Sequence, residues 1–177
     1  MNASVKISKL TKRLKPLLWL VLLALVLIML GVIAYLFSAQ TSISGKRQMK
    51  NLGDSVVIRF DESDIPHIKA NSPADALFAL GYLHATERSW QMEMNRRISS
   101  GRLSEILGKD TVPIDRFIRT LGIKRAAERQ YDRYPAATKQ LIQSYADGVN
   151  AGNASLGWAL PIEYFLTGSR PGHWSPT

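Results

Sequence analysis

The apolar residues of this chain fall into several distinct rhythms, and each rhythm predicts a different element. Residues 17–37, "LLWLVLLALVLIMLGVIAYLF", are apolar without interruption and carry no charge. At about 1.5 Å per residue such a helix spans roughly 31 Å, the thickness of a bilayer core. Trp19 and Tyr35 stand near its two ends, where amphipathic rings favour the membrane interface. Five basic residues precede it, so residues 1–16 are expected to stay cytoplasmic and the rest to emerge on the far side. A cleaved signal peptide has a shorter apolar stretch and a small-x-small cleavage site. "YLFSAQ" puts Phe37 two places before Ala39, a poor match, so an uncleaved anchor is expected.

Residues 38–53 are polar and small, and read as a linker. Two short β-like runs follow, at 55–60 and 67–70, separated by the turn-rich "DESDIP" in which Pro66 restricts Ile65 to extended geometry. A hairpin is expected. In "NSPADALF" the period lengthens to that of a helix, with Ser72 as N-cap and Pro73 in the first helical position. Asp75 stands where the acidic half of a capping box belongs. This helix is expected to run to about residue 100, with Gly101 as a left-handed stop.

Along it Ala76, Leu80, Leu83, Trp90, Met94 and Ile98 recur at steps of three or four, and Glu87 falls in the same stripe. A buried carboxylate must be paired, because desolvating it alone costs several kcal/mol. Arg88, Arg96, Arg97 and Arg102 are partners of the right kind, since a planar guanidinium can grip a carboxylate at two points. The pattern predicts a long helix buried on much of its circumference, crossed by ionic bonds, with Glu87 sheltered against a body larger than this stretch. Residues 114–134 predict a second helix with Gly122 as a weak point. Residues 135–152 predict a third, started by Pro135, striped by Leu141, Ile142, Tyr145 and Val149, and stopped by Gly152. Residues 160–177 close as loop and short helix.

Composition changes this picture in one respect. The formal charge of +9 invites a nucleic-acid reading, but residues 1–50 alone carry +8 and no acid. The folded part is nearly neutral and lacks the basic face a nucleic-acid-binding domain needs. No nucleic-acid partner is expected. The absence of cysteine excludes disulfides and thiolate chemistry.

Candidate chemistry is sparse. His84 and Glu87 stand three apart on the long helix, but two ligands do not make a metal site, and His84 reads as a satisfied polar group on the helix flank. No nucleophile elbow, S-x-x-K, Walker-type or dinucleotide-binding glycine motif is present. No catalytic, cofactor-binding or metal-binding residue is assigned within these 177 residues.

The order of the motifs is more telling than any one of them. The run "VVIRFDESDIPHIKANSPADALFALGYLHATERSWQMEMNRRISSGRLSEILG", continued by "DRFIRTLG", "YADGVNAG" and "LPIEYFLTGSRPGHWSPT", resembles the start of the penicillin acylase (penicillin amidase) family of N-terminal-nucleophile hydrolases. The resemblance covers about residues 54–177. Asp64 stands where the family usually has Gly, and "ATER" where "AQDR" is common.

The resemblance implies a precursor whose α-chain begins here, with a longer β-chain downstream. Autoprocessing would expose a β-chain N-terminal Ser that attacks an acyl-amide carbonyl, its own α-amino group acting as base. The complete enzyme would be an α+β protein of αββα architecture, with a structural calcium ion as a possible resident. This part would supply helices and a short β-hairpin, mainly α-helical when seen alone. The expected divisions are a basic tail at 1–16, a transmembrane helix at 17–37, a linker at 38–53 and a partial acylase α-chain domain at 54–177. The expected partners are the protein's own downstream β-chain, the lipid bilayer and a small acyl-amide substrate such as a β-lactam or an acyl-homoserine lactone. The alternative is a membrane-tethered, non-catalytic interaction module that keeps the scaffold.

Overall fold

The computed structural model describes residues 3–38 and 44–177, with side chains at 16–37 and from 44 onward. The centre of the expected linker, residues 39–43, lies outside the described residues, as do the side chains of nearly all the basic tail. The chain divides into two compact units, Met1–Gln40 and Thr41–Thr177.

The first unit is one helix, α1 (Ala3–Ser38), with Pro16 inside it. Its stretch Pro16–Phe37 is long and apolar enough to cross a membrane, and none of it is buried against protein.

The second unit begins with an antiparallel hairpin, β1 (Val57–Phe60) and β2 (Pro66–Lys69), in which Ile58 faces Ile68 and Arg59 faces His67. Asp61 organises its turn. One carboxylate oxygen accepts from the Ser63 and Ile65 amides at 2.9 and 3.0 Å, and the other meets His67 Nε2 at 3.0 Å. Asp64 has φ +58, the only described non-glycine residue in the left-handed region. This accounts for the departure noted at that position. Aspartate tolerates left-handed geometry better than most residues, and glycine adopts it at no steric cost. Asp64→Gly is therefore expected to change stability by less than about 0.5 kcal/mol, because relieved strain offsets extra unfolded-chain freedom. Asp64→Val should cost about 1–2 kcal/mol. Chemical denaturation of the two variants checks both figures, and equal stability would remove the strain argument.

The long helix is α2 (Pro73–Ser100), capped by Ser72, whose hydroxyl accepts from the Asp75 amide, and closed by Gly101 at φ +63. It is not straight. Thr86 donates its hydroxyl back to the Tyr82 and Leu83 carbonyls, and Arg88 leaves helical geometry at φ −133, ψ 29. Such back-bonding bends helices. Two buried rows run along α2. Asp75, Phe78, Ala79, Leu83 and Thr86 form the first; Gly81, Ala85, Ser89, Glu93 and Arg97 form the second, in steps of four.

The sequence following α2 is more broken than its periodicity suggests. "GRLSEILG" contains a short α3 (Ser104–Leu107) and a 3-10 turn at Lys109–Thr111. The expected second helix is two, α4 (Val112–Leu121) and α5 (Ile123–Arg133), separated by Gly122 at φ +72. The third, α6 (Ala136–Ser155), does not stop at Gly152 but passes through it. α7 (Ile162–Thr167) and an extended tail complete the unit.

The core lies between α2 and α6. The two helices run in the same direction, Phe78 meeting Gly148 and Ala85 meeting Gly152. A Cβ on Gly81 would lie 2.2 Å from the Tyr145 carbonyl oxygen, and one on Gly148 would lie 2.0 Å from that of Phe78. Here glycine permits backbone to touch backbone. That explains the correction at Gly152, whose Cβ would meet Ala85 Cβ and the Tyr82 carbonyl at 2.7 Å. Val149, Ala146 and Leu160 are buried as well.

Candidate functional site

The expected buried carboxylate exists, but it is Glu93 and not Glu87. Glu87 is exposed to solvent, whereas Glu93 is 1% exposed. The straight-helix stripe extends the first buried row to Glu87, but that row already opens to solvent there, before the non-helical Arg88 is reached. The second row, begun at Gly81 against α6, carries burial onward to Glu93.

Glu93 accepts four hydrogen bonds. Arg96 supplies two, Nε to Oε2 at 3.0 Å and Nη2 to Oε1 at 2.7 Å. Arg97 Nε donates to Oε1 at 2.7 Å, and the Gly172 amide donates to Oε2 at 3.1 Å. The chain of charges continues from Arg97 Nη1 to Glu105 Oε2 at 2.9 Å, and Arg102 grips both oxygens of Glu105 at 2.7 and 2.9 Å. The expected partners Arg96, Arg97 and Arg102 are thus all in the network. Arg88 is not; it donates to Gln91 Oε1 at 3.2 Å on the exposed side. The sequence did hold a signal for Glu93, because arginines three and four residues ahead of a carboxylate meet it on one helix face.

Two more buried carboxylates serve main-chain amides. Asp115 accepts from the Leu103 and Ser104 amides at 2.8 Å and from the Ser104 hydroxyl, tying α4 to the start of α3. Asp75 accepts from the Gly53 amide at 2.7 Å and the Ser72 hydroxyl at 2.7 Å. The capping-box carboxylate therefore reaches the segment before the hairpin, not the amide of its own cap. Tyr164, 1% exposed, plugs the other end of the α2–α6 contact. Its hydroxyl donates to the Ser89 carbonyl at 3.1 Å and pairs with the Ser89 hydroxyl at 3.0 Å, and its ring meets Trp90 edge-on at 5.1 Å.

These environments set the protonation states. Burial raises the Glu93 carboxyl, but the Arg96 hydrogen bonds and the Gly172 amide outweigh it and hold it below the usual range. At Asp115 burial is likewise outweighed, by the Ser104 hydroxyl and the Ser104 and Leu103 amides, and at Asp75 the Ser72 hydroxyl leads the lowering. Burial pushes Tyr164 up to about 12. Carboxyls lowered in the folded state contribute stability above the ordinary carboxylate range and lose it as pH falls through their lowered values. A raised tyrosine contributes below about pH 10 and loses its contribution as pH rises from there to about 12. Stability is therefore expected to be level near neutrality, to fall in acid, and to fall again above about pH 10. Tyr164→Phe should flatten the alkaline limb; an unchanged limb in that variant would exclude Tyr164 as its cause.

No reacting pair emerges among the described residues. His84 lies on the exposed flank of α2, its Nδ1 3.0 Å from the Tyr145 hydroxyl and its ring edge-on to Tyr145. His84 and Glu87 acquire no third ligand, and among the described residues no three His, Cys, Asp or Glu side chains converge. The buried carboxylates spend their oxygens on N–H and O–H donors, so these residues do not fit a calcium site, which takes six to eight oxygen ligands. An apolar groove of about 180 Å³ lies between the inner face of the hairpin and the first half of α2, lined by Ile58, Phe60, Phe78, Tyr82 and Leu83, with Glu87 at its edge. What the unit offers is therefore a rigid scaffold: two helices in backbone contact, pinned by buried carboxylates.

That scaffold has known counterparts. The family model described as penicillin amidase matches residues 55–177. The chain is 40% identical over 139 residues to penicillin acylase 2 proenzyme of Pseudomonas sp. (strain SE83), covering 78% of this chain and 18% of that protein. It is 39% identical over 133 residues to acyl-homoserine lactone acylase QuiP of Pseudomonas aeruginosa, covering 75% and 16%. Among solved structures it is similar to thermostable penicillin G acylase from Alcaligenes faecalis, with a TM-score of 0.63 and 28% identity over 69% of this chain and 66% of that one. The chain belongs to the penicillin amidase family. It spans less than a fifth of the length of these curated relatives, which are named as acylases, hydrolases of amide C–N bonds.

Proposed function

We propose that residues 54–177 are the leading scaffold of an amide hydrolase that removes acyl side chains from linear amides. The proposed nucleophile is a serine that begins a β-chain further along the precursor, in an αββα N-terminal-nucleophile fold. The family match over residues 55–177 carries this reading. A free α-amine beside a serine hydroxyl is a competent base near neutral pH, so the chemistry asks no side chain of this scaffold. The relatives named for penicillin and for acyl-homoserine lactones are almost equally similar, so the substrate class proposed is the N-acyl amide common to both.

Open apolar faces support a covering body. Ile114, Phe117 and Leu121 share one face of α4 and are 47%, 62% and 58% exposed. Trp158, Ile162 and Leu166, in and before α7, are also exposed. Apolar patches left open in this way mark surfaces made to be covered. Residues 17–37 are proposed as an uncleaved single-pass anchor, with residues 1–16 cytoplasmic, 38–53 a linker and 54–177 on the far side.

The test is expression of the complete reading frame, followed by intact-mass analysis and assay on a chromogenic phenylacetyl amide and an acyl-homoserine lactone. The expected result is two chains, the larger beginning with serine, and hydrolysis of at least one substrate. A single unprocessed chain without amidase activity would sink the proposal, and so would turnover by residues 1–177 alone. Retention of residues 17–37 in the membrane-extracted protein tests the anchor; a mature N-terminus beyond residue 37 would replace it with a removed signal.

A further inference from the structure

The extended segment after α7 is held to the body of the unit at two points that share no residue. At the first, the Gly172 amide donates to Glu93 Oε2 across 79 positions of sequence. Arg96, fixed on the same carboxylate, lies over Gly172 so closely that a Cβ there would sit 2.1 Å from Nη2. At the second, Asn150 on α6 holds the Trp174 main chain in both directions, donating to its carbonyl and accepting from its amide at 2.9 Å. Residues 169–177 form no helix or strand, so side chains of α2 and α6 set their path.

A buried ion pair adds little stability over well-packed apolar residues of similar volume. Apolar residues could not, however, present an acceptor to a main-chain N–H at one place and direction. Likewise, the paired donor and acceptor of Asn150 imitate one rung of a β-ladder, fixing orientation as well as position. We infer that Glu93, Arg96 and Asn150 are positioning residues that clasp residues 172–174 and fix the direction in which the polypeptide leaves the α2–α6 pair. This rests on the proposed function in one respect: the segment so aimed is the one leading toward the proposed β-chain, and its aim bears on precursor cleavage.

The experiment uses the full-length protein and two variants that each disturb one point without removing a charge. Gly172→Ala places a methyl against the Arg96 guanidinium, and Asn150→Ala removes both bonds to Trp174. In each, amide exchange at residues 171–175 is expected to quicken roughly tenfold, with exchange in α2 and α6 and the Tm unchanged. Appearance of the processed chain should slow in both. Asn150→Asp, which keeps the acceptor but loses the donor, should fall between wild type and Asn150→Ala. Unchanged exchange at 171–175 in both variants would overturn the clasp. A uniform rise across α2 and α6 would overturn it too, by making these residues merely structural. Local loosening in a protein whose wild type never processes would uphold the clasp and refute the precursor reading.

Discussion

Gly148→Ala is expected to destabilise the protein by about 2–3 kcal/mol, although alanine is the better helix former by about 1 kcal/mol. The added carbon would stand 2.0 Å from the Phe78 carbonyl oxygen, an atom of helix backbone that cannot swing aside. Only separation of α2 from α6 relieves the overlap. That separation also opens the Gly81 and Gly152 contacts and loosens Ser89 from Asn153, whose side chains are 2.9 Å apart. Thermal unfolding should show a Tm lower by roughly 5–10 °C. Gly31→Ala is the control, because a Cβ there meets nothing within 4 Å. Equal behaviour of the two variants would mean that the close crossing is absent.

The second large effect separates two glutamates on one helix. Glu93→Ala removes the acceptor shared by Arg96, Arg97 and Gly172, leaving two guanidiniums short of a carboxylate in a largely closed site. Removing one partner of such a buried pair costs about 3–5 kcal/mol. The lower end applies, since the Arg96 side chain is 22% exposed and water can reach part of it. Glu87→Ala should fall within about 0.5 kcal/mol of the parent, as surface changes do. Chemical denaturation of the pair is decisive: a large loss at Glu87 with none at Glu93 would invert the described register of α2.

That register was the main thing the sequence did not make legible. The anchor-length apolar stretch, the hairpin, the Ser72 and Gly101 ends of α2 and the presence of an arginine-gripped carboxylate all followed from local patterns. Their causes are local: uninterrupted apolarity, alternation, caps and turn residues. The choice of Glu93 over Glu87 depends on which row of α2 meets α6 and the closing segment, partners that a stripe read from α2 alone does not contain. Gly152 reads as a helix stop because glycine usually is one; its use here depends on α6 meeting Ala85 and Tyr82, a partner no window around residue 152 contains. The clasp on Gly172 and Trp174 was invisible for the same reason, since it joins residues 79 and 24 positions apart. The open faces of α4 and α7, and not the sheltered carboxylate, are what point to a larger body, because Glu93 finds all its partners within this chain.

The break in α2 also bears on how related chains can vary in length. One residue removed from an unbroken helix turns everything beyond it by about 100°. Here, a residue lost near Thr86 would rotate Glu93 away from Gly172 while leaving the hairpin end as it was. Relatives of this chain should therefore accept insertions in the loops on either side of α2 and reject them inside it, even where the segment is exposed. A homologue carrying a gap between positions 83 and 89 should carry a relocated acidic residue further along, restored to the one angular position from which it can reach the departing segment.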